Sequence, residues 1–162
     1  MAIGGWNGEY SSSTFIFDMI EKKWSPGPSL LEGRTVSACA RIKVGQVYYI
    51  VVAGGYGGSN PSDLSTVEIL DLSQMDAWVQ GPSMPIKPTW LSSITNDKGT
   101  GMIVSGGGTH AGFLKDIYEL DCPHSIEDCK WTKLEQKLKY ARAGHISMLI
   151  PDDLAQELCL NP

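Results

Sequence analysis

Apolar positions along this chain come in short runs, broken by glycine, proline and polar clusters about every ten residues. The run Val47-Tyr48-Tyr49-Ile50-Val51-Val52 is β-branched or aromatic throughout and almost continuously apolar. It predicts an inner strand covered on both faces. The frequent Gly and Pro residues disfavour helices. Strands are predicted over 37–44, 47–53, 64–72 and 76–80, with Gly45-Gln46 as a two-residue hairpin signal between the first two. The next stretch repeats the pattern as 91–95, 102–105, 114–121 and 130–134. Ahead of both, Thr14-Phe15-Ile16-Phe17-Asp18 reads as a strand of the same kind.

These runs are copies of one unit. Trp24, Trp78 and Trp131 recur every 53 or 54 residues. Each trails an aspartate (Asp18, Asp71, Asp121) and a glycine doublet (Gly4-Gly5, Gly54-Gly55, Gly106-Gly107). Leu30, Met84 and Leu138 hold the same register, and four residues beyond each lie Arg34, Pro88 and Arg142. A period near 50 residues with four short strands per unit is the signature of propeller blades. The predicted fold is therefore all-β: four-stranded antiparallel blades forming an incomplete propeller. The repeats span 1–153, divided into a partial blade 2–26, blades 37–80 and 91–134, and a closing strand 145–150. A tail with modest helix potential covers 154–162. Two full units fall short of the four to eight blades of a closed ring, so the chain is read as the C-terminal part of a larger propeller.

The ordered set resembles the kelch-repeat family over almost the whole chain. The matching features are the Gly-Gly after strand two, the residue pattern before Asp in strand three, the strand-four Trp, and Arg142-Ala143-Gly144-His145. Pro88 departs from the pattern, standing where the other copies carry Arg. The resemblance implies a propeller that presents loops to a partner protein, as a substrate adaptor or a scaffold.

The repetition itself assigns several residues to architecture. The glycines Gly54, Gly55, Gly106 and Gly107 read as turn formers, because a phosphate loop would need a following helix and a Lys-Ser/Thr pair. Asp18, Asp71 and Asp121, once per blade at the end of strand three, read as turn caps. The three tryptophans read as inter-blade packing. The histidines His110, His124 and His145 occupy unrelated repeat positions, and no Gly-x-Ser-x-Gly elbow occurs. A copper oxidase of galactose has a kelch-like propeller, but no matching set of copper ligands is assignable here. No enzyme activity, metal or cofactor is expected.

Composition narrows the partners. A net charge of −5 with both signs scattered gives no basic patch for nucleic acid. No apolar stretch is long enough to span a membrane. Cys122 and Cys129 flank a polar loop, which leaves open a disulfide in an extracellular scaffold or two thiols in a cytoplasmic protein, with the cytoplasmic reading preferred. Cys39 reads as core filler.

Strand parity places the loops 6–13, 56–63 and 109–113 on one end of the blades, together with 27–36, 81–89 and 136–144. Binding is expected on that end. Its candidate residues are Arg34, Tyr56, Asn60, Lys87, His110 and Arg142. In the family that the chain resembles, the loop Arg matched by Arg34 and Arg142 can pair with partner carboxylates. The partner protein and the oligomeric state are not legible.

Overall fold

The computed structural model describes residues 1–150. The first sheet contains β1 (Ala2–Ile3), β2 (Thr14–Asp18) and β3 (Lys23–Gly27) in that order. After β4 (Arg34–Thr35), the chain forms β5 (Ala38–Val44) and β6 (Val47–Ala53), joined at Gly45-Gln46, with Val44 opposite Val47. The short loop strand β7 (Tyr56–Gly57) pairs with β4 on one side and with β8 (Ser62–Asp63) on the other. Then β9 (Val67–Asp71) and β10 (Trp78–Gly81) complete a four-stranded antiparallel sheet ordered β10-β9-β6-β5. The third sheet repeats it with β11 (Ser92–Thr95), β12 (Gly101–Ser105), β15 (Asp116–Asp121) and β16 (Lys130–Lys137). A loop ribbon of β13 (Gly108–Thr109) and β14 (Gly112–Phe113) and a 3-10 turn, Ile126–Asp128, interrupt it.

The middle sheet explains the unbroken apolar run. Side chains alternate across a strand, and here both faces are covered. Val51, Ala53, Val67 and Ile69 join a core with Met84 and Leu91 of the linker and Met102, Val104, Tyr118 and Leu120 of the third sheet. Val52 and Leu70 point the other way and pack with Leu30, Trp78 and Ile3.

Three expectations need correction. Residues 145–150, predicted as a closing strand, make no ladder, because no strand edge lies beside them among the described residues. The last strand runs to Lys137, past the predicted 134, and carries a register shift between Asp116 and Tyr118. Cys39, read as core filler, is exposed. The tail 154–162 lies outside the described residues.

Candidate functional site

Each linker that leaves a blade docks on that blade's glycine doublet. The amides of Gly5, Gly55 and Gly107 donate to the carbonyls of Arg34, Pro88 and Arg142, at 2.8, 3.1 and 2.8 Å. The preceding linker lies on the opposite side: a Cβ on Gly55 would sit 2.4 Å from the Thr35 carbonyl, and one on Gly107 would sit 2.7 Å from that of Thr89. Both glycines also have positive φ, 97° and 92°. At the second and third doublets the glycine therefore sits in a slot between two linkers that no larger residue fits.

The linkers also bond to one another. Trp90 N donates to Val36 O at 3.0 Å, and Gly144 N to Trp90 O at 2.8 Å. Positions 36, 90 and 144 share left-handed backbone, with φ of 51°, 57° and 66°. Glycine occupies the third without strain. Val36 and Trp90 hold the same conformation against a penalty of about 1–2 kcal/mol each.

Those two strained residues line an apolar basin. Trp6, Tyr10, Thr35, Val36, Tyr56 and Trp90 enclose about 280 Å³ at the predicted loop end. Trp6 and Tyr10 stack at 4.7 Å between ring centroids, and Tyr10 meets Tyr56 edge-on at 5.4 Å. Trp6 and Trp90 remain 59% and 56% exposed, so the aromatic walls stand open to solvent. An apolar lining with a few polar groups suits the side chain of a bound segment.

Of the candidate binding residues, Tyr56 lines this basin. Arg34 does not reach a partner, because it is wholly buried. Its guanidinium donates to Gly54 O, Thr66 O and Thr66 Oγ1 at 3.0 Å each, and to Glu68 Oε1 at 2.7 Å. Glu68, itself buried, also accepts the amides of Leu31 (2.6 Å) and Glu32 (3.2 Å). The pair ties the linker to β9. Asn60 is exposed on the 58–61 turn. His110 projects into solvent 3.4 Å from Asp63. Lys87 and Arg142 are exposed and make no ion pair among the described residues.

The residues assigned to architecture divide. Trp78 and Trp131 donate from Nε1 to the carbonyls of Pro28 and Pro82 on the preceding blade, each at 2.8 Å. Trp24 departs from the expected packing role: it is 58% exposed, with its ring 5.0 Å from that of Phe17. Asp18 accepts the amides of Glu21 (2.8 Å) and Ile20 (2.7 Å), Asp71 accepts the hydroxyl (2.6 Å) and amide (2.7 Å) of Ser73, and these bonds hold both carboxyls below their ordinary pKa. Asp121 breaks the pattern. It accepts from Thr100 Oγ1 (2.6 Å) and Lys98 Nζ (2.9 Å) in the neighbouring hairpin, which lower its pKa. Its own loop is closed instead by a Cys122–Cys129 disulfide. Among the described residues no group of three His, Cys, Asp or Glu side chains is placed to hold a metal.

Trp6, Tyr10 and Trp90 were not singled out from the sequence as binding residues. The signal available for Trp90 was its alignment with Val36 and Gly144, a bulky residue at a position that accepts glycine.

Stacked four-stranded blades with a loop-built apolar basin define a propeller-type interaction module. Residues 1–31 and 48–85 match the Kelch motif, and the match supports a kelch-repeat family. Kelch repeats are mostly non-enzymatic protein-interaction modules. No curated protein matches the chain.

Proposed function

We propose that this protein binds an extended segment of a partner protein by seating one of its apolar side chains between Trp6, Tyr56 and Trp90. One observation carries the reading. Trp90 is an exposed tryptophan in left-handed backbone, at a repeat position where glycine would be relaxed. The left-handed backbone serves the linker-to-linker bonds, which glycine could make without strain, so strain kept by an exposed aromatic residue of an open basin points to a functional position. Rigid aromatic walls also lose little conformational entropy on binding.

The test is a peptide-library selection on the immobilised protein, followed by titration of the selected peptides against Trp90→Gly. That variant relieves the strained backbone and stays folded. Its affinity should fall at least tenfold, about 1.4 kcal/mol. Equal affinity for both proteins would refute the basin as the site.

A second reading has its own support. The Cys122–Cys129 disulfide favours a scaffold that matures in an oxidising compartment. Thiol counting on protein purified from its native source under non-reducing conditions tests it. Free thiols at both positions would remove the reading.

A further inference from the structure

Every hydrogen bond that an indole or a phenol donates among the described residues ends on a proline carbonyl. Trp78 Nε1 donates to Pro28 O and Trp131 Nε1 to Pro82 O, each at 2.8 Å, and Tyr56 Oη donates to Pro61 O at 3.3 Å. The two tryptophans are repeat copies of each other, but Tyr56 reaches its proline by an unrelated contact within its own turn. The cause is chemical. Proline has no N–H, so the backbone around it stays out of ladders and leaves its carbonyls to other donors. An indole is the complement: one donor, no acceptor and a flat apolar face.

The aromatic basin holds the same donors with nothing to receive them. Trp6 and Trp90 are its exposed walls, while Tyr10 and Tyr56 are half-buried in it. Trp6 Nε1, Trp90 Nε1 and Tyr10 Oη donate to no protein group among the described residues. The lining contains no carboxylate, lysine, arginine, histidine or side-chain amide. Its side-chain acceptors are the hydroxyl oxygens of Thr35, Tyr10 and Tyr56. We propose that the segment seated here is proline-rich and bound as a polyproline II helix, with its pyrrolidine rings against the aromatic walls and its carbonyls accepting from the indoles of Trp6 and Trp90. This rests on the basin being the binding site and names the chemical class of its partner.

The composition of the lining separates this occupant from others. An ordinary extended segment brings an N–H at every residue, and a basin of indoles has little to accept them with. Proline brings none. A charged side chain would find no counter-charge in the lining. A flexible segment anchored by one leucine or isoleucine would have to be ordered on binding, and the open walls bury too little of it to offset that cost. Polyproline II is already extended, has no internal hydrogen bonds and exposes its carbonyls along its length. Stiff, ridged segments of this kind dock on shallow aromatic grooves. The rings here are tilted, by 56° between Trp6 and Tyr10 and by 61° between Tyr10 and Tyr56, which gives the basin a ridged floor rather than a flat platform.

The probes are decaproline, blocked at both ends, and a blocked Gly-Ser decapeptide with one central leucine. Each is titrated into the full chain carrying 15N in its five tryptophans, with the indole N–H signals assigned by replacing each tryptophan in turn with phenylalanine. Decaproline should bind more tightly than the leucine peptide by about fivefold or more, the worth of one ordinary hydrogen bond. It should move the indole signals of Trp6 and Trp90 and leave those of Trp78 and Trp131 in place. Trp90→Phe keeps a ring and removes the donor, so it should weaken decaproline by about fivefold and leave the leucine peptide unaffected. A leucine peptide that binds as tightly as decaproline and moves the same two signals would overturn the proline proposal while leaving the basin as the site. Unchanged affinity of decaproline for Trp90→Phe would overturn it as well, because the indole donor would then be idle. Failure of decaproline to bind would also overturn it. Titration of library-selected peptides against Trp90→Gly decides separately whether the basin binds a segment at all.

Discussion

Arg34 offers the sharpest test of how the blades are joined. Read as a loop residue, it could be replaced by alanine with little effect on folding. Its position in the structure predicts the opposite. Arg34→Met removes four side-chain hydrogen bonds and leaves the Glu68 carboxylate buried without its counter-charge. Breaking a buried ion pair from one side costs about 3–5 kcal/mol, most of it the penalty for the stranded charge. With a urea m-value of about 2 kcal/mol/M, a loss of about 4 kcal/mol moves the midpoint down by about 2 M. That is a large share of the roughly 5–15 kcal/mol that holds a domain folded. Glu68→Gln supplies the control. The amide removes the charge and keeps one accepting oxygen, so it can serve Leu31 N or Glu32 N, which bond to different oxygens of Glu68, but not both. If the stranded charge dominates, Arg34→Met/Glu68→Gln should lose less than the sum of the single variants, by about 1–3 kcal/mol. Urea melts of the four proteins at neutral pH measure all of this. A loss below about 1 kcal/mol for Arg34→Met, or strict additivity in the cycle, would refute the argument.

Other outcomes follow from the same contacts. Trp78→Ala should cost about 3–5 kcal/mol in a urea melt, but Trp78→Phe only about 1 beyond the area it loses, because Pro28 O keeps its bond from Thr14 Oγ1. Replacing Cys122 and Cys129 together with serine should cost about 2 kcal/mol, since the bridge spans only seven positions; an unchanged thermal midpoint would show that it constrains nothing. Asp121→Asn should lower the thermal midpoint at pH 7 but not at about pH 2. The folded carboxyl titrates below its ordinary 3.8, so its contribution is full above that value and vanishes as pH falls through the lower folded pKa. A constant gap between the two proteins down to pH 2 would contradict this.

The blades were legible because their cause is local. Strand runs, hairpin glycines and the 54-residue register all sit in contiguous sequence. The features that eluded sequence reasoning depend on what lies across a blade boundary. Trp24 and Trp78 are the same letter at the same repeat position, yet one is exposed, and the other is buried because it packs on the first sheet and donates to Pro28 O. Arg34 resembles any loop arginine until Glu68 is placed beside it. A glutamate inside the apolar strand Val67–Asp71 was the available hint of a buried counter-charge. The 145–150 run had the composition of a strand, but a ladder needs an edge to pair with. The basin was the hardest to foresee. Its loops were assigned to the correct end, but the left-handed backbone that aims Val36 and Trp90 leaves no trace in composition.

The slot between linkers has a practical corollary for watching this protein come apart. Gly5, Gly55 and Gly107 each contribute one amide proton that is bonded only while its linker is seated. Together they form a set of intrinsic gauges, one per blade, resolvable in a glycine-labelled heteronuclear spectrum. Their relative deuterium uptake would rank the blades by how readily each releases its linker, with no probe attached and no side chain altered.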